Sequence, residues 1–112
     1  MTVLLGKKEA QVTTNAYTDI VSLQIPPGVS KLSVQLTELN VNNTKYKIIA
    51  GMDGSSYPYE ITAETALNKN ATIVETPTSN SKLADPMLYV KVQIKDAVDG
   101  VHGSVSCWVA SS

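Results

Sequence analysis

Arginine and phenylalanine are absent from this 112-residue sequence, and cysteine, histidine and tryptophan each occur once. The charged residues are nine lysines and ten carboxylates, so there is neither an excess of cations for phosphates nor the guanidinium fork used on bases. This balance disfavours nucleic-acid binding. The single Cys107 excludes an internal disulfide, which fits a reducing cytosol better than a disulfide-stapled secreted domain.

Long hydrophobic runs are also lacking. No apolar run approaches the roughly 18 residues needed to span a membrane. The N-terminal sequence MTVLLGKKEA has an apolar stretch too short for a signal peptide and no basic segment before it. We therefore expect a soluble chain that is not exported by the general route and has no membrane partner. The length and the 43% hydrophobic content predict one globular domain over residues 1–112.

Alternation of apolar and polar residues is the strongest pattern that is present. It recurs in residues 31–37, 87–95 and 105–109, as expected for strands with one buried face. In the second of these segments the side chains predicted to face inward are Leu88, Val90, Val92 and Ile94.

Shorter segments rich in β-branched and aromatic residues add further strand candidates at 11–14, 19–25, 45–50, 57–62 and 71–76. Turn residues separate them, and only 63–70, AETALNKN, is a helix candidate. The pattern predicts an all-β protein: a single antiparallel β-sandwich, jelly-roll-like or immunoglobulin-like, of about eight strands. Residues 1–10 form a candidate flexible N-terminal arm.

Reactive residues are too few for a catalytic or metal site. Asp53-Gly54 is typical of a turn, and the sequence after it lacks the alternating oxygen ligands of a calcium loop. His102 has its carboxylate and serine neighbours within one short loop, whereas a catalytic set is usually assembled from distant segments. Cys107 alternates with Val105 and Val109 and is predicted to be a core residue. We expect no enzyme activity, no catalytic residue, no metal and no cofactor.

The alternation that buries Val105 and Val109 places Trp108 on the outside, and in the same way it places Tyr89 on the outside. The two aromatic residues are predicted to be neighbours across one hairpin, where they would anchor a protein interface. Two alternatives remain open. Residues 76–86 or the N-terminal arm could cover Trp108, or the aromatic side chains could stack on sugar rings.

The order of these features resembles the small β-sandwich structural proteins of tailed phages and prophages, including head-decoration and tail-associated proteins. The stretches that carry the resemblance are IPPGVSKLSVQLTEL, YKIIAGMDGSSYPYEI, ETPTSNSKLADP, LYVKVQIKD and HGSVSCWVASS. The resemblance implies a non-enzymatic virion protein, assembled in the host cytoplasm, that binds a repeating particle surface. Its partners would be further copies of itself, such as a trimer, and a major capsid or tail protein. No functional residue can be carried over, because that class has no shared catalytic signature.

The sequence therefore predicts a phage virion structural protein that binds by surface complementarity. Trp108 and Tyr89 are the predicted anchors, and Val3, Leu4 and Leu5 lie in an arm that could add a strand to a neighbouring subunit. The alternative function is a carbohydrate- or cell-surface-binding β-sandwich module. A third, enzymatic function would require His102 to meet distant carboxylates in a cleft.

Overall fold

A computed structural model describes residues 2–111 and confirms the all-β class. Eight strands and one short 3₁₀ helix, Ser81–Ala84, make up the regular structure of these residues. The strands are β1 (Leu4–Val12), β2 (Thr18–Gln24), β3 (Leu32–Glu38), β4 (Thr44–Gly51), β5 (Tyr59–Leu67), β6 (Thr72–Glu75), β7 (Tyr89–Asp96) and β8 (Ser104–Ser111).

The strands form two four-stranded antiparallel sheets packed as a sandwich. The strand orders are β1-β8-β3-β6 in one sheet, called here the W sheet because it carries Trp108, and β2-β7-β4-β5 in the other, called the Y sheet. Strands pair as 1 with 8, 2 with 7, 3 with 6 and 4 with 5, which is one long antiparallel ribbon wrapped around a core. Eight strands wound in this way form a jelly roll, so the first of the two predicted sandwich types is confirmed.

The core lies between the sheets and is built from the inward half of each alternating strand. Its hydrophobic side chains are mostly aliphatic, and Cys107 is one of the core residues, as the alternation predicted. Inward residues of β3, β7 and β8 are less than 2% exposed; they are Leu32, Val34, Leu36, Val90, Val92, Ile94, Val105, Cys107 and Val109. Burial of these side chains is the main free-energy gain of the fold.

The helix predicted over 63–70 is wrong. Most of that segment belongs to β5, whose last residue, Leu67, is fully buried and pairs with Thr44 of β4. Alanine, glutamate and leucine favour a helix in isolation, but their preferences amount to only a few tenths of a kcal/mol per residue. Pairing along β4 and burial of Leu67 outweigh them.

The inward position predicted for Leu88 is also wrong. Strand β7 begins one residue later, at Tyr89, and the Leu88 side chain is 50% exposed. Leu88 lies at the end of the sandwich, where its backbone carbonyl accepts a hydrogen bond from Ile25 N–H. The alternation continues past the last layer of the core, so at this position it no longer indicates burial.

Residues 4–10, which lie in the candidate flexible arm, are part of the edge strand β1. This strand pairs with β8 of the same chain, from Leu4 opposite Ala110 to Val12 opposite Ser104. Two register shifts interrupt the pairing, and Ala10 adopts a left-handed φ of 55° at the second. The arm was expected from the terminal position of these residues. In the structure they form an edge strand, and its lysines and its two register shifts hinder pairing with a further strand.

The Asp53-Gly54 segment is a turn, as its sequence indicated. The Asp53 carboxylate accepts hydrogen bonds from the backbone N–H groups of Ser56 and Ser55, and these bonds lower the pKa of Asp53. Gly54 takes a φ of 76°. Gly51 is required for a different reason, since a Cβ there would collide with the Ser56 carbonyl oxygen.

Candidate functional site

Trp108 lies in the centre of the W sheet and faces outward, partly buried. Its direct cross-strand neighbours are Lys7 of β1 and Gln35 of β3, and Gln35 in turn pairs with Val74 of β6. One outward row, Lys7–Trp108–Gln35–Val74, therefore crosses all four strands. The outward position predicted for this indole is confirmed by its register, because both of its chain neighbours, Cys107 and Val109, are buried.

The outer surface of the W sheet is nearly uncharged. Rows on either side of Trp108 contain small and hydroxyl side chains, and in the three rows Lys7 alone is charged. The added surface members are Leu4, Ala110 and Ser33 on one side and Thr37 and Thr72 on the other. Ser106, in the row of Thr37, is buried, and its hydroxyl accepts a hydrogen bond from Ala10 N–H. Leu4 and Val74 are 52% and 53% exposed. A surface that combines exposed aliphatic residues, an aromatic centre and few charges has the composition of a protein interface core.

Tyr89 does not share this surface. It lies on β7 of the Y sheet, opposite Gly51 of β4 and Gln24 of β2, and its ring packs close to Gly54. The prediction that Tyr89 and Trp108 are neighbours across one hairpin is wrong, because β7 and β8 belong to different sheets. The loop between them crosses from one face of the sandwich to the other, a connection that local alternation cannot reveal.

The three apolar residues near the N-terminus have different surroundings. Leu4 faces outward in line with Ala110, and Val3 is 48% exposed with its backbone bonded to Ser111. Leu5 packs against the core. The Leu5 side chain is therefore used by its own domain. Leu4 remains accessible on the face that carries Trp108, and Val3 is exposed at the end of the strand, beside Ser111.

The 76–86 segment closes one side of the sandwich. Leu83 of the 3₁₀ helix is fully buried in the core. Asn80 donates hydrogen bonds to the Ile61 carbonyl, the Thr62 hydroxyl and the Glu75 carboxylate, so it ties the segment to β5 and β6. Segment 76–86 therefore seals the gap between the β5 and β6 edges.

His102 takes part in a polar cluster at the loop end of the sandwich. Its Nδ1 lies 3.0 Å from a carboxylate oxygen of the fully buried Asp96. Asp96 also accepts bonds from the Thr13 hydroxyl and from Gly100 N–H. Burial by itself raises the pKa of this carboxyl, but the bonds from Thr13, His102 and Gly100 hold the pKa below its usual range. The Thr13 hydroxyl is fully engaged in this network, because it donates to Asp96 and accepts a hydrogen bond from Gly103 N–H.

A second buried carboxyl, Glu38, lies beside the same loop. It is 1% exposed, and its Oε1 accepts a hydrogen bond from Asn40 N–H. Its Oε2 has no hydrogen-bond partner among the residues that the structure describes, and burial raises the pKa of this carboxyl. Gly103 packs against this carboxyl, and a Cβ on residue 103 would come within 2.6 Å of Glu38 Oε2. The close packing of Gly103 keeps the Glu38 carboxyl covered.

Lysines and tyrosines cluster on the outer surface of the Y sheet. The Lys47 ammonium lies 4.3 Å from the centroid of the Tyr17 ring, and the Lys95 ammonium lies 5.5 Å from it. Further along β7, Lys91 lies 4.4 Å from the centroid of Tyr57. These cation–π contacts fix the rings of two tyrosines that come from loops rather than from strands.

A shallow pocket of about 510 Å³ lies at the opposite end of the sandwich from His102. Its lining is mostly apolar and comes from the β4–β5 loop, the start of β5 and the segment before β7; the residues are Met52, Tyr59, Asp85, Pro86, Met87 and Leu88. The pocket is open, and its side chains include Met52, which is 62% exposed.

Residues 2–111 contain no cluster of three or more histidine, cysteine or carboxylate side chains arranged to hold a metal ion. Over the same residues, no helix has both the length and the apolarity to cross a membrane. Cys107 is buried, and burial raises the pKa of its thiol to about 12.

Sequence reasoning missed Tyr17 and Tyr57 as surface residues of interest. Both lie outside the alternating segments, so no strand phase gave their direction. The four lysines of β4 and β7, at 45, 47, 91 and 95, are separated by even intervals within each strand and therefore share one face, a signal that could have drawn attention to it.

No protein-family model matches the sequence, and no curated protein matches it either. Among solved structures, the chain is similar to part of a chain in the T13 particle of infectious bursal disease virus, at 13% identity and a TM-score of 0.52. That match covers 99% of this chain and 30% of the viral chain, so this chain spans less than a third of the protein it matches.

PirA is similar at 11% identity and a TM-score of 0.53, covering 99% of this chain and 93% of PirA. A carbohydrate-binding module of endoglucanase Cel5A from Eubacterium cellulosolvens aligns at 14% identity over 100% of this chain and 99% of the module, with a TM-score of only 0.47. The first two likenesses define the chain as a β-sandwich of the jelly-roll kind. Identities this low establish the fold and leave the function open.

Proposed function

We propose that this chain is a non-enzymatic structural protein of a phage virion, a capsid-decoration or tail-associated protein that binds a repeating particle surface. The observation that carries the proposal is the position of Trp108 at the centre of a nearly uncharged sheet face, with exposed Leu4 and Val74 on the same face. The jelly-roll fold, used in viral capsids and in lectins, is compatible with this role.

The mechanism is docking of the outer W-sheet surface, with the indole as anchor. Partly buried aromatic residues surrounded by small polar side chains are frequent hot spots, since a partner can remove the remaining water from around them. The partners are further copies of this chain, in a homo-oligomer such as a trimer, and a major capsid or tail protein. The protein would be assembled in the host cytoplasm and be located in the virion, with no cofactor.

Docking through a face fits the structure better than addition of a strand. β1 is already paired with β8, and its outer edge carries Lys7, Lys8 and Glu9 together with two register shifts. Such an edge resists pairing with another chain. Leu4 contributes through its side chain, next to Ala110 on the face that carries Trp108, and β1 stays on its own sheet.

The experiment compares the solution mass of Trp108→Ala with that of the wild type by light scattering. Tyr89→Ala is the matched control, because it removes a partly exposed aromatic residue from the opposite sheet. We expect Trp108→Ala to weaken self-association by at least about 2 kcal/mol, roughly thirty-fold, and Tyr89→Ala to leave it unchanged. A wild-type chain that stays monomeric at high concentration, or equal effects of the two variants, would count against the proposal.

A further inference from the structure

The outer surface of the Y sheet has an unusual distribution of charge. Its two central strands carry four lysines, 45 and 47 on β4 and 91 and 95 on β7. The carboxylates of this surface lie on the edge strands, with Asp19 on β2 and Glu60 and Glu64 on β5. The middle of the sheet is therefore basic, and its two margins are acidic.

Three of these lysines meet at one end of the surface. Lys45 and Lys95 are direct cross-strand partners, and Lys47 is diagonal to Lys95, because it pairs with Gln93 two residues away. Like charges directly opposite each other on a sheet are destabilising. Glu64, 3.4 Å from Lys45, offsets part of this repulsion, and the Tyr17 ring contacts the ammonium groups of the other two. The local charge of these four ionisable side chains is +2, so an anionic group bound here would relieve the repulsion.

The rest of the surface suits a sugar. Gln93 of the central strand β7 donates a hydrogen bond to Asp19 of the edge strand β2, and this carboxylate–amide pair offers both acceptors and donors to hydroxyl groups. Tyr57 and Tyr89 lie toward the other end, on either side of Gly54. Lys91, under Tyr57, is separated from Lys95 by about 13 Å along β7, at about 3.3 Å per residue, and it forms an ion pair with Asp19 at 3.2 Å. The uncompensated positive charge therefore lies at the Lys45–Lys47–Lys95 end. It is followed by a hydrogen-bonding stretch in which the charges of Lys91 and Asp19 offset each other, with the Tyr57 ring beside it.

We propose that the outer surface of the Y sheet binds an acidic oligosaccharide, one whose sugar rings carry carboxylates. Lys47 and Lys95 would bind a carboxylate beside Tyr17, Asp19 and Gln93 would bind hydroxyl groups, and Tyr57 would contact the face of a sugar ring. The Asp19–Gln93 pair favours this ligand over DNA, because a sugar ring offers hydroxyl groups to both side chains, whereas the DNA backbone offers phosphates that the Asp19 carboxylate repels. The site is on the face opposite Trp108, so it does not depend on the docking proposed above.

The test uses an oligogalacturonate as the probe, with a neutral glucose oligosaccharide of equal length and a short single-stranded DNA as comparison ligands, measured by calorimetry at low salt. We expect saturable binding of the oligogalacturonate alone, weakened about tenfold by Lys95→Gln and by Tyr57→Ala. Lys69→Gln, in the exposed β5–β6 turn, removes the same charge elsewhere and should change the affinity less than twofold.

Lys95→Gln relieves repulsion, so this variant is expected to remain folded, and a thermal melt checks that it does. Absence of oligogalacturonate binding to the wild type would overturn the proposal. Equal losses of affinity in Lys95→Gln and Lys69→Gln would also overturn the proposal, since the loss would then reflect the net charge of the protein and not the position of the lysine. DNA binding as tight as that of the oligogalacturonate would assign the surface to nucleic acid instead.

Discussion

Trp108 and Tyr89 point away from each other, from opposite faces of the sandwich: Trp108 lies on β8 of the W sheet and Tyr89 on β7 of the Y sheet. Each therefore belongs to a different surface. The W-sheet surface is nearly neutral and has an indole at its centre, whereas the Y-sheet surface carries lysines and tyrosines. A single chain with two such faces can contact two partners of different chemistry at once.

Replacing the buried carboxylate of Asp96 should destabilise the fold. Asp96→Asn keeps the shape but loses a charged acceptor for Thr13, Gly100 N–H and His102, and we expect it to lower the free energy of unfolding by about 2 kcal/mol at neutral pH. Urea unfolding measures the difference. Asp99→Asn, an exposed neighbour in the same loop, is the control and should change stability by less than about 0.5 kcal/mol.

The Asp96 effect should also depend on pH. The folded-state pKa of Asp96 lies below its usual value, so its contribution to stability is complete above about pH 4, the pKa in the unfolded chain, and is lost as the pH falls through the folded-state pKa. The difference in the free energy of unfolding between the wild type and Asp96→Asn should therefore become smaller as the pH falls. A difference that stays constant down to pH 2 would show that the carboxylate charge contributes nothing to stability.

Glu38 should behave in the opposite way. Burial raises its folded-state pKa, so the neutral carboxyl is favoured in the folded chain, and the stabilisation from its proton is complete below about pH 4 and lost as the pH rises through the folded-state pKa. Glu38→Gln removes the buried charge and should stabilise the protein at pH 7 by on the order of 1 kcal/mol. Urea unfolding at pH 7 and at pH 4 checks this, and a variant less stable than the wild type at pH 7 would contradict it.

Cys107 should be unreactive in the folded protein. It lies on β8, between strands β1 and β3, and its thiol is buried in the core. Burial raises the pKa of the thiol to about 12, so both access and thiolate fraction are low. A thiol reagent at pH 8 is expected to label native protein far more slowly than protein unfolded in urea. Equal labelling rates would mean that β8 opens readily and is not the rigid centre of its sheet.

The sequence predicts the core well where strands alternate strictly. In β3, β7 and β8 the residues expected inside are inside, with Leu88 as the exception at a strand end. Segment 63–70 was misinterpreted because its residue types favour a helix, while its true conformation depends on β4, a distant partner in the chain. Local preference is weaker than pairing and burial in such a case.

The candidate surfaces could be predicted only in part. Alternation gives the direction of Trp108, because both of its neighbours are aliphatic or thiol core residues. Alternation does not indicate which sheet a strand joins. It therefore could not predict that Trp108 and Tyr89 lie on different sheets. Tyr17 and Tyr57 lie in loops, where side-chain direction is set by the tertiary contacts with Lys47 and Lys91.

The fluorescence of Trp108 tests the central claim most directly, since it is the one tryptophan of the chain. If the outer W-sheet surface is an interface, raising the protein concentration should shift the emission to shorter wavelength and reduce quenching by iodide, in step with the increase in mass. Val74→Lys, which places a charge on the same row, should abolish both changes and leave the monomer folded. Emission and quenching that stay constant while the mass increases would contradict the account, because the chain would then assemble through another surface.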